Sequence, residues 1–397
     1  MRFDNVDNNI KGIQVVIGVV GPFGSGCTYV SRIIEKEHGF SYISLSDVLR
    51  EYAETNEPEI DIKQRSLLQD YGNKLREEKG GNILAELANQ KIDADKNCII
   101  DSIRNPVEID YFRNKYPDFY LFGIFAEEDI RFERLKKTYN NDRRAFEKDD
   151  KRDSGEDNKM GQQVTNCFRT ADIILMNNHP IRSGNDNEKT LKAKIKDKID
   201  VLKKDIPFRP IDVETYMSMA YAISMRSCCL KRKVGAIIVD DSGTIVSSGY
   251  NEVPITQKPC LSEFGMCYRD TLKESYKTSL DNSVTNSEER SIAYKEFEKQ
   301  FKILDYCRAL HGEENAIIGI SKTGSSGLLS KAKLYTSTYP CNLCANKIVQ
   351  VGINEIVYFE PYPMQEAKNI LTSGNVIQTP FEGVTYNGYF KLMEVVD

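Results

Sequence analysis

The residues most able to do chemistry together are His311, Glu313, Cys341 and Cys344. His311 opens the stretch HGEENAI, with Glu313 two positions later, and about thirty residues on the chain reads YPCNLCA. A catalytic zinc needs three protein ligands, an open position for water, and a carboxylate that moves protons without binding the metal. His311 can supply the imidazole. Cys341 and Cys344, at a C-x-x-C spacing where a strand turns into a helix, can supply two thiolates. Glu313 would lie beside the metal as general acid and base.

Each piece has a plainer reading. A lone histidine before a helix is usually a cap or a surface residue, and a lone C-x-x-C is as often structural or redox-active. Together they are far more specific, because the proline, the glutamate, the order and the intervening strand all fit. H-x-E followed by P-C-x-x-C is the signature of zinc deaminases that attack C4 of cytosine or C6 of adenine.

A second constellation lies near the start. The stretch GPFGSGCT (21–28) matches the phosphate-cradling loop G-x-x-x-x-G-K-[ST] at every fixed position except the lysine, where Cys27 stands. Gly21, Gly24 and Gly26 would let backbone amides approach a nucleotide phosphate. Thr28 could bind magnesium, and Asp101, closing the apolar run NCIID, could sit where a second magnesium-side acid does. Without the lysine an efficient kinase is not expected.

These groups need scaffolds. The run IQVVIGVV (13–20) reads as a buried parallel strand, and TYVSRIIEKEH after the loop places Val30, Ile33 and Ile34 on one helical face. NCIID (97–101) and FYLFGIFA (119–126) read as further buried strands between helical stretches. This alternation predicts a parallel α/β sheet. A turn-rich stretch near 180 leads to a charged helix striped with Leu191, Ile195, Ile199 and Leu202, and the second domain is expected to follow. The division is thus 1–205 for the P-loop domain and 206–397 for the second. The second is expected to run through a helix from about Val213 to Met225, a hairpin of VGAIIVD (234–240) and GTIVSSGYN (243–251), and a polar cysteine-bearing insertion over roughly 255–300. The helix of His311, the strand AKLYTST (332–338), a helix from Cys341 and the strand EIVYFE (355–360) complete it.

Composition narrows the class. The 397 residues are 40% hydrophobic and 28% charged, as in ordinary globular proteins. The stretch MRFDNVDNNIKG lacks the apolar core of an export signal, and no run is long enough to span a bilayer, which predicts a cytoplasmic protein without membrane contact. In a reducing compartment ten cysteines do not make a disulfide framework, and seven of them fall between residues 228 and 344. A net charge of −5 counts against a grip on long nucleic acids.

The second half resembles the deoxycytidylate deaminase branch of the cytidine deaminase superfamily. The carriers are MSMAYAISMRSCCLKRKVGAIIV, SSGYNEVP, HGEENAI and TSTYPCNLCANKIVQVGINEIVYFEPYP. The resemblance implies an α/β/α deaminase domain, a catalytic zinc, and free deoxycytidine nucleotides (dCMP, dCTP or both) as substrates. It also implies a homo-oligomer, dimer or hexamer. Asn251 should hydrogen-bond the sugar or base edge, Tyr362 should border the base, and the carbonyls of TSTYP should receive the exocyclic amine. Where the family usually reads H-A-E, this chain has Gly312. The resemblance also implies a second, structural zinc, here all-thiolate: Cys229 or Cys228 with Cys260, Cys267 and Cys307.

In the first half, DSIRNPVEIDYFR and RFERLKK resemble nucleoside-monophosphate-kinase-like P-loop proteins, which implies Arg104, Arg131 and Arg134 near phosphates. The fusion of the two halves resembles bacterial antiphage deaminases that deplete deoxycytidine nucleotides, with the P-loop half regulatory. Two rivals stay open at this point. One keeps the chemistry but takes cytosine or adenine within tRNA or single-stranded DNA. The other is a non-catalytic nucleotide sensor in which zinc only stabilises the fold.

Overall fold

The computed structural model describes residues 14–155, 161–178, 186–301, 304–322, 324, 326–360 and 364–393. Its strands are β1 Val16–Val20, β2 Ser41–Ser44, β3 Cys98–Asp101, β4 Phe119–Phe125, β5 Ile173–Met176, β6 Gly235–Val239, β7 Ile245–Tyr250, β8 Lys333–Thr336, β9 Glu355–Tyr358, β10 Ile377–Pro380 and β11 Gly383–Val384. They form two sheets in two compact units: Met1–Pro210 with Glu382–Asp397, and Ile211–Phe381.

The first unit carries the order β11-β5-β4-β1-β3-β2, parallel except for β11, which runs antiparallel to β5. β1 and β4 are buried along their whole lengths, as continuous apolar runs in a covered parallel sheet should be. Helix Cys27–His38 buries Val30, Ile33 and Ile34, and helix Asp186–Leu202 buries the stripe Leu191, Ile195, Ile199 and Leu202 against the same core.

The second domain was expected to run to residue 397, but the chain returns to the first unit at Glu382. The return is held by hydrogen bonds that no periodicity announces. Thr385 N donates to Asp172 O at 2.8 Å, Met176 N donates to Glu382 Oε1 at 3.0 Å, and Lys194 Nζ reaches Glu382 Oε2 at 2.6 Å. The Ile211–Phe381 unit is therefore an insertion within the P-loop unit.

That inserted unit has a mixed sheet in the order β10-β9-β8-β6-β7, with β7 and β8 antiparallel to β6 and β8, β9 and β10 mutually parallel. Successive residues of a strand face opposite sides. A Cβ on Gly235 would stand 1.9 Å from Ala220 O, in helix Asp212–Ser224. A Cβ on Gly249, paired with Ala236, would stand 2.2 Å from Ala316 N, in helix Gly312–Lys322. Helices thus cover both faces, giving the expected α/β/α layering. The polar insertion forms three helices, Cys260–Phe264, Tyr268–Ser283 and Ser287–Gln300. Among the described residues, no helix is long and apolar enough to cross a membrane.

Candidate active site

Two chain reversals bring the ligand candidates together. Beyond β7, Glu252 and Leu310 exchange backbone hydrogen bonds of 3.1 and 2.9 Å, which sets His311 beside the end of the hairpin. Helix Gly312–Lys322 then runs back along the sheet with Asn315 Nδ2 donating to Tyr250 O at 2.8 Å. On the other side β8 ends at Thr336, and after a loop Cys341 caps helix Asn342–Gln350, with Cys344 in its first turn. Residues three apart at a helix start share a face, and the helix N-terminus favours thiolates there.

His311 Nδ1 lies 3.3 Å from Cys341 Sγ and 3.3 Å from Cys344 Sγ. Among the described residues this trio is the group whose ligand atoms all lie within 4.8 Å of one another. Tetrahedral zinc, with bonds of ~2.3 Å to sulfur and ~2.0 Å to nitrogen, separates such atoms by about 3.6 Å, so the donor set fits the ion after a shift of a few tenths. Three ligands leave one tetrahedral position for water.

Glu313 is 2% exposed. Its Oε2 lies 3.7 Å from Cys344 Sγ and its Oε1 3.5 Å from Thr336 Oγ1. Burial pushes its carboxyl above the usual carboxylate range, which suits a proton carrier at neutral pH. A hydrogen bond from the Cys344 thiol, joined by the His311 ring, draws Cys341 down to about 4. The same bond to Cys341 pushes Cys344 up, and the thiolate beside it raises His311. A divalent cation takes both sulfurs as thiolates.

The sequence reading missed Glu314. Its Oε2 accepts from His311 N at 3.3 Å, while Oε1 accepts from Lys347 Nζ at 2.7 Å. It ties the histidine's helix to the cysteines' helix, and only an acidic residue in a first turn could have hinted at it. Asn251 is buried and close to the site's hairpin end. Its Oδ1 accepts from Val234 N at 2.7 Å and its Nδ2 donates to Arg232 O at 2.8 Å, so it clamps the 232–234 backbone. Tyr362 lies outside the described residues. Gly312 has a physical reason: a Cβ there would stand 2.9 Å from Val234 O.

Cys228, Cys229, Cys260, Cys267 and Cys307 all line one cavity of about 30 Å³. Arg269 shares that wall. No three of these sulfurs lie within 4.8 Å of one another, so the thiols share a cavity without forming a closed ligand set.

In the first unit, Gly21, Gly24, Gly26, Cys27 and Thr28 line a cavity of about 260 Å³ together with Asp101 and Arg104. Asp101 Oδ2 accepts from Thr28 Oγ1 at 2.6 Å and from Tyr42 Oη at 2.9 Å. Arg104 is the one expected arginine in the lining. Arg131 instead bonds Phe23 O at 2.9 Å and pairs with Asp150, and Arg134 bonds Gly24 O and Ser25 O at 3.2 and 3.3 Å.

Comparison with known proteins finds relatives of both units. Residues 210–360 match the family described as the cytidine and deoxycytidylate deaminase zinc-binding region, and residues 17–155 match an AAA domain. The deoxycytidylate deaminase of Enterobacteria phage T4 is 33% identical over 152 residues, covering 37% of this chain and 77% of that protein. That of Saccharomyces cerevisiae is 32% identical over 158 residues, 40% of each chain. A UPF0200 protein of Methanothermobacter thermautotrophicus is 31% identical over 171 residues, covering 42% of this chain and 84% of its own. The fold and site therefore define a zinc-binding deaminase region joined to a P-loop kinase-like domain. The chain belongs to the deoxycytidylate deaminase family of the cytidine deaminase superfamily, with an N-terminal domain related to the UPF0200 proteins.

Proposed function

We propose that this chain hydrolyses the exocyclic amine of free deoxycytidine nucleotides, dCMP, dCTP or both, giving the deoxyuridine nucleotide and ammonia. One observation carries the reading: the His311, Cys341 and Cys344 ligand atoms converge beside a buried Glu313. Those three residues would hold zinc, which when bound supplies an activated water. Glu313 takes the two protons of the attacking water in turn, delivering one to N3 of the base and the other to the departing amine. The Thr336–Pro340 carbonyls receive that amine, Asn251 contacts the sugar or base edge through the second lone pair of its Oδ1, and Tyr362 borders the base. The raised proton affinity of Glu313 supports this shuttle, because a carboxylate that is never protonated at neutral pH could not return protons.

The five thiols around one cavity support a second, structural zinc held by Cys229, Cys260, Cys267 and Cys307 after a small closure of the insertion. Homo-oligomers, with the P-loop unit in a regulatory role and magnesium at Thr28 and Asp101, complete the reading. Depletion of deoxycytidine nucleotides during viral infection would be its use. The deciding experiment follows ammonia release from dCMP, dCTP, deoxycytidine, a cytosine-containing single-stranded DNA and a tRNA. Turnover of the free nucleotides alone supports the proposal. Turnover of the polynucleotides alone would replace it, and zinc binding without turnover of any substrate would leave a sensor.

A further inference from the structure

We propose that the cavity lined by Tyr120, Leu202, Phe208 and Leu392 binds a flat, neutral ring compound that carries an N–H beside a carbonyl. Asp118 accepts from that N–H, and Lys204 donates to the carbonyl. The cavity holds about 310 Å³, and its lining belongs wholly to the P-loop unit. Packed interiors leave few voids larger than a water, and small-molecule sites begin at about 300 Å³. Its walls are apolar or aromatic: Tyr120 on β4, Leu202 at the end of helix Asp186–Leu202, Phe208 beyond it, and Leu392 on helix Tyr386–Met393. Phe208 is held edge-on by Tyr389, with ring centroids 5.8 Å apart. Such walls suit a flat apolar body.

Two charged groups supply the polar edge. Asp118 stands just before β4, two residues ahead of Tyr120, and alternate residues of an extended chain point the same way. It is 9% exposed, and its Oδ2 is buried without a hydrogen bond. Lys204 lines the cavity and holds its Nζ 3.7 Å from that oxygen, within ion-pair reach but beyond hydrogen-bond length. A buried acceptor left unpaired destabilises a fold, so this oxygen lacks a donor that a ligand can bring.

The last turn of helix Asp186–Leu202 explains where the lysine comes from. Asp205 N donates to Asp200 O at 2.9 Å and Lys204 N donates to Val201 O at 3.0 Å. Lys204 takes φ 63° there, at a position where helix ends usually carry glycine. A glycine would close the same turn with less strain and bring no charge. The other nearby cation is occupied: Lys391 Nζ donates to Phe119 O at 2.5 Å and lies 4.1 Å from the Tyr120 ring centroid. Charge then selects the ligand. A cation would meet the repulsion of both lysines, and an anion would answer Lys204 but leave Asp118 Oδ2 facing a second acceptor. A neutral edge with a donor beside an acceptor satisfies both members of the pair.

The test is calorimetric titration of the full-length protein with 2-quinolone, quinoline and quinoline-2-carboxylate. The first carries the N–H and carbonyl edge, the second lacks it, and the third is the anionic alternative on the same rings. 2-Quinolone should bind at least about tenfold tighter than quinoline, as expected for a hydrogen bond to a charged partner. Asp118→Leu and Lys204→Met should each remove most of that advantage while quinoline affinity holds, which a merely structural role would not produce. Ile206→Trp, at the 40%-exposed rim of the cavity, should weaken both compounds. If Asp118→Leu fails to fold, Lys204→Met still decides. No binding of 2-quinolone at millimolar concentration, equal binding of 2-quinolone and quinoline, tighter binding of the carboxylate, or 2-quinolone affinity unchanged in Lys204→Met and Ile206→Trp would each overturn the assignment.

Discussion

Gly249→Ala should disable the deaminase without touching a reacting group. Gly249 lies on β7 where helix Gly312–Lys322 crosses, and its ideal Cβ stands 2.2 Å from Ala316 N, 2.4 Å from Gly312 O and 2.7 Å from Asn315 C. All three are backbone atoms, so no rotamer change relieves the clash. Carbon contacts are comfortable at about 3.5 Å, so the helix start must retreat by more than about 1 Å. That start carries His311 and Glu313, while Cys341 and Cys344 sit on a different helix and would stay behind. Misplacement of about 1 Å at a catalytic constellation can lower the rate about 10²-fold, and the overpacking should take roughly 1–3 kcal/mol from stability. Steady-state ammonia release from dCMP, zinc content per chain and the melting temperature would be read together. Gly327→Ala is the control, because a Cβ there meets nothing within 4 Å. A Gly249→Ala protein with full rate, full zinc and unchanged melting would refute the claim that this contact positions the site.

Other outcomes follow from the same geometry. Glu313→Gln should lower kcat by about 10²–10⁴-fold with zinc content unchanged, and loss of zinc instead would move Glu313 into the ligand set. His311→Ala or Cys341→Ala, or prolonged chelation, should abolish deamination and remove one zinc per chain. Cys267→Ala should remove a second equivalent and lower the melting temperature, and a wild type with only one zinc would end the four-thiolate reading. Burial, and then the charge of Lys203, holds His38 below its ordinary pKa. Its neutral form is the folded one, so the stability it contributes is present above the unfolded value of ~6.5 and is lost as pH falls through the folded value. His38→Asn should accordingly flatten the decline in melting temperature below about pH 6.5, and an unchanged pH profile would remove His38 from that account.

The candidate ligand trio and the carboxylate beside it were legible as a cluster because they rest on short, local geometry. C-x-x-C at a helix start presents two sulfurs on one face whatever the rest of the chain does. H-x-E at another helix start likewise sets a ligand and a carboxylate on neighbouring positions. The striped helix Asp186–Leu202 and the apolar runs of β1 and β4 were legible for a similar reason, since burial of one face imposes a period of 3.6 and burial of both faces imposes an apolar run. The glycine-rich loop declared its phosphate-binding shape, and Cys27 declared what it lacks.

What tertiary structure alone decided concerns contacts between residues far apart in sequence. β11 has two residues, too few to carry a period, and it joins β5 only because that edge and the Asp172 carbonyl are there to receive it. So the insertion of one unit within the other had no trace in the pattern. Glu314 and Lys347 are 33 positions apart and meet because the sheet brings two helix ends together. Arg104 and Arg134 look alike as charges in a sequence. One lines the cavity and the other grips the loop's carbonyls, because the direction a long side chain takes is settled by the donors and acceptors packed around it. The sequence by itself determined which atoms are available for zinc, proton and phosphate. The packed chain decided which of them converge, because convergence depends on long-range contacts that no local spacing encodes.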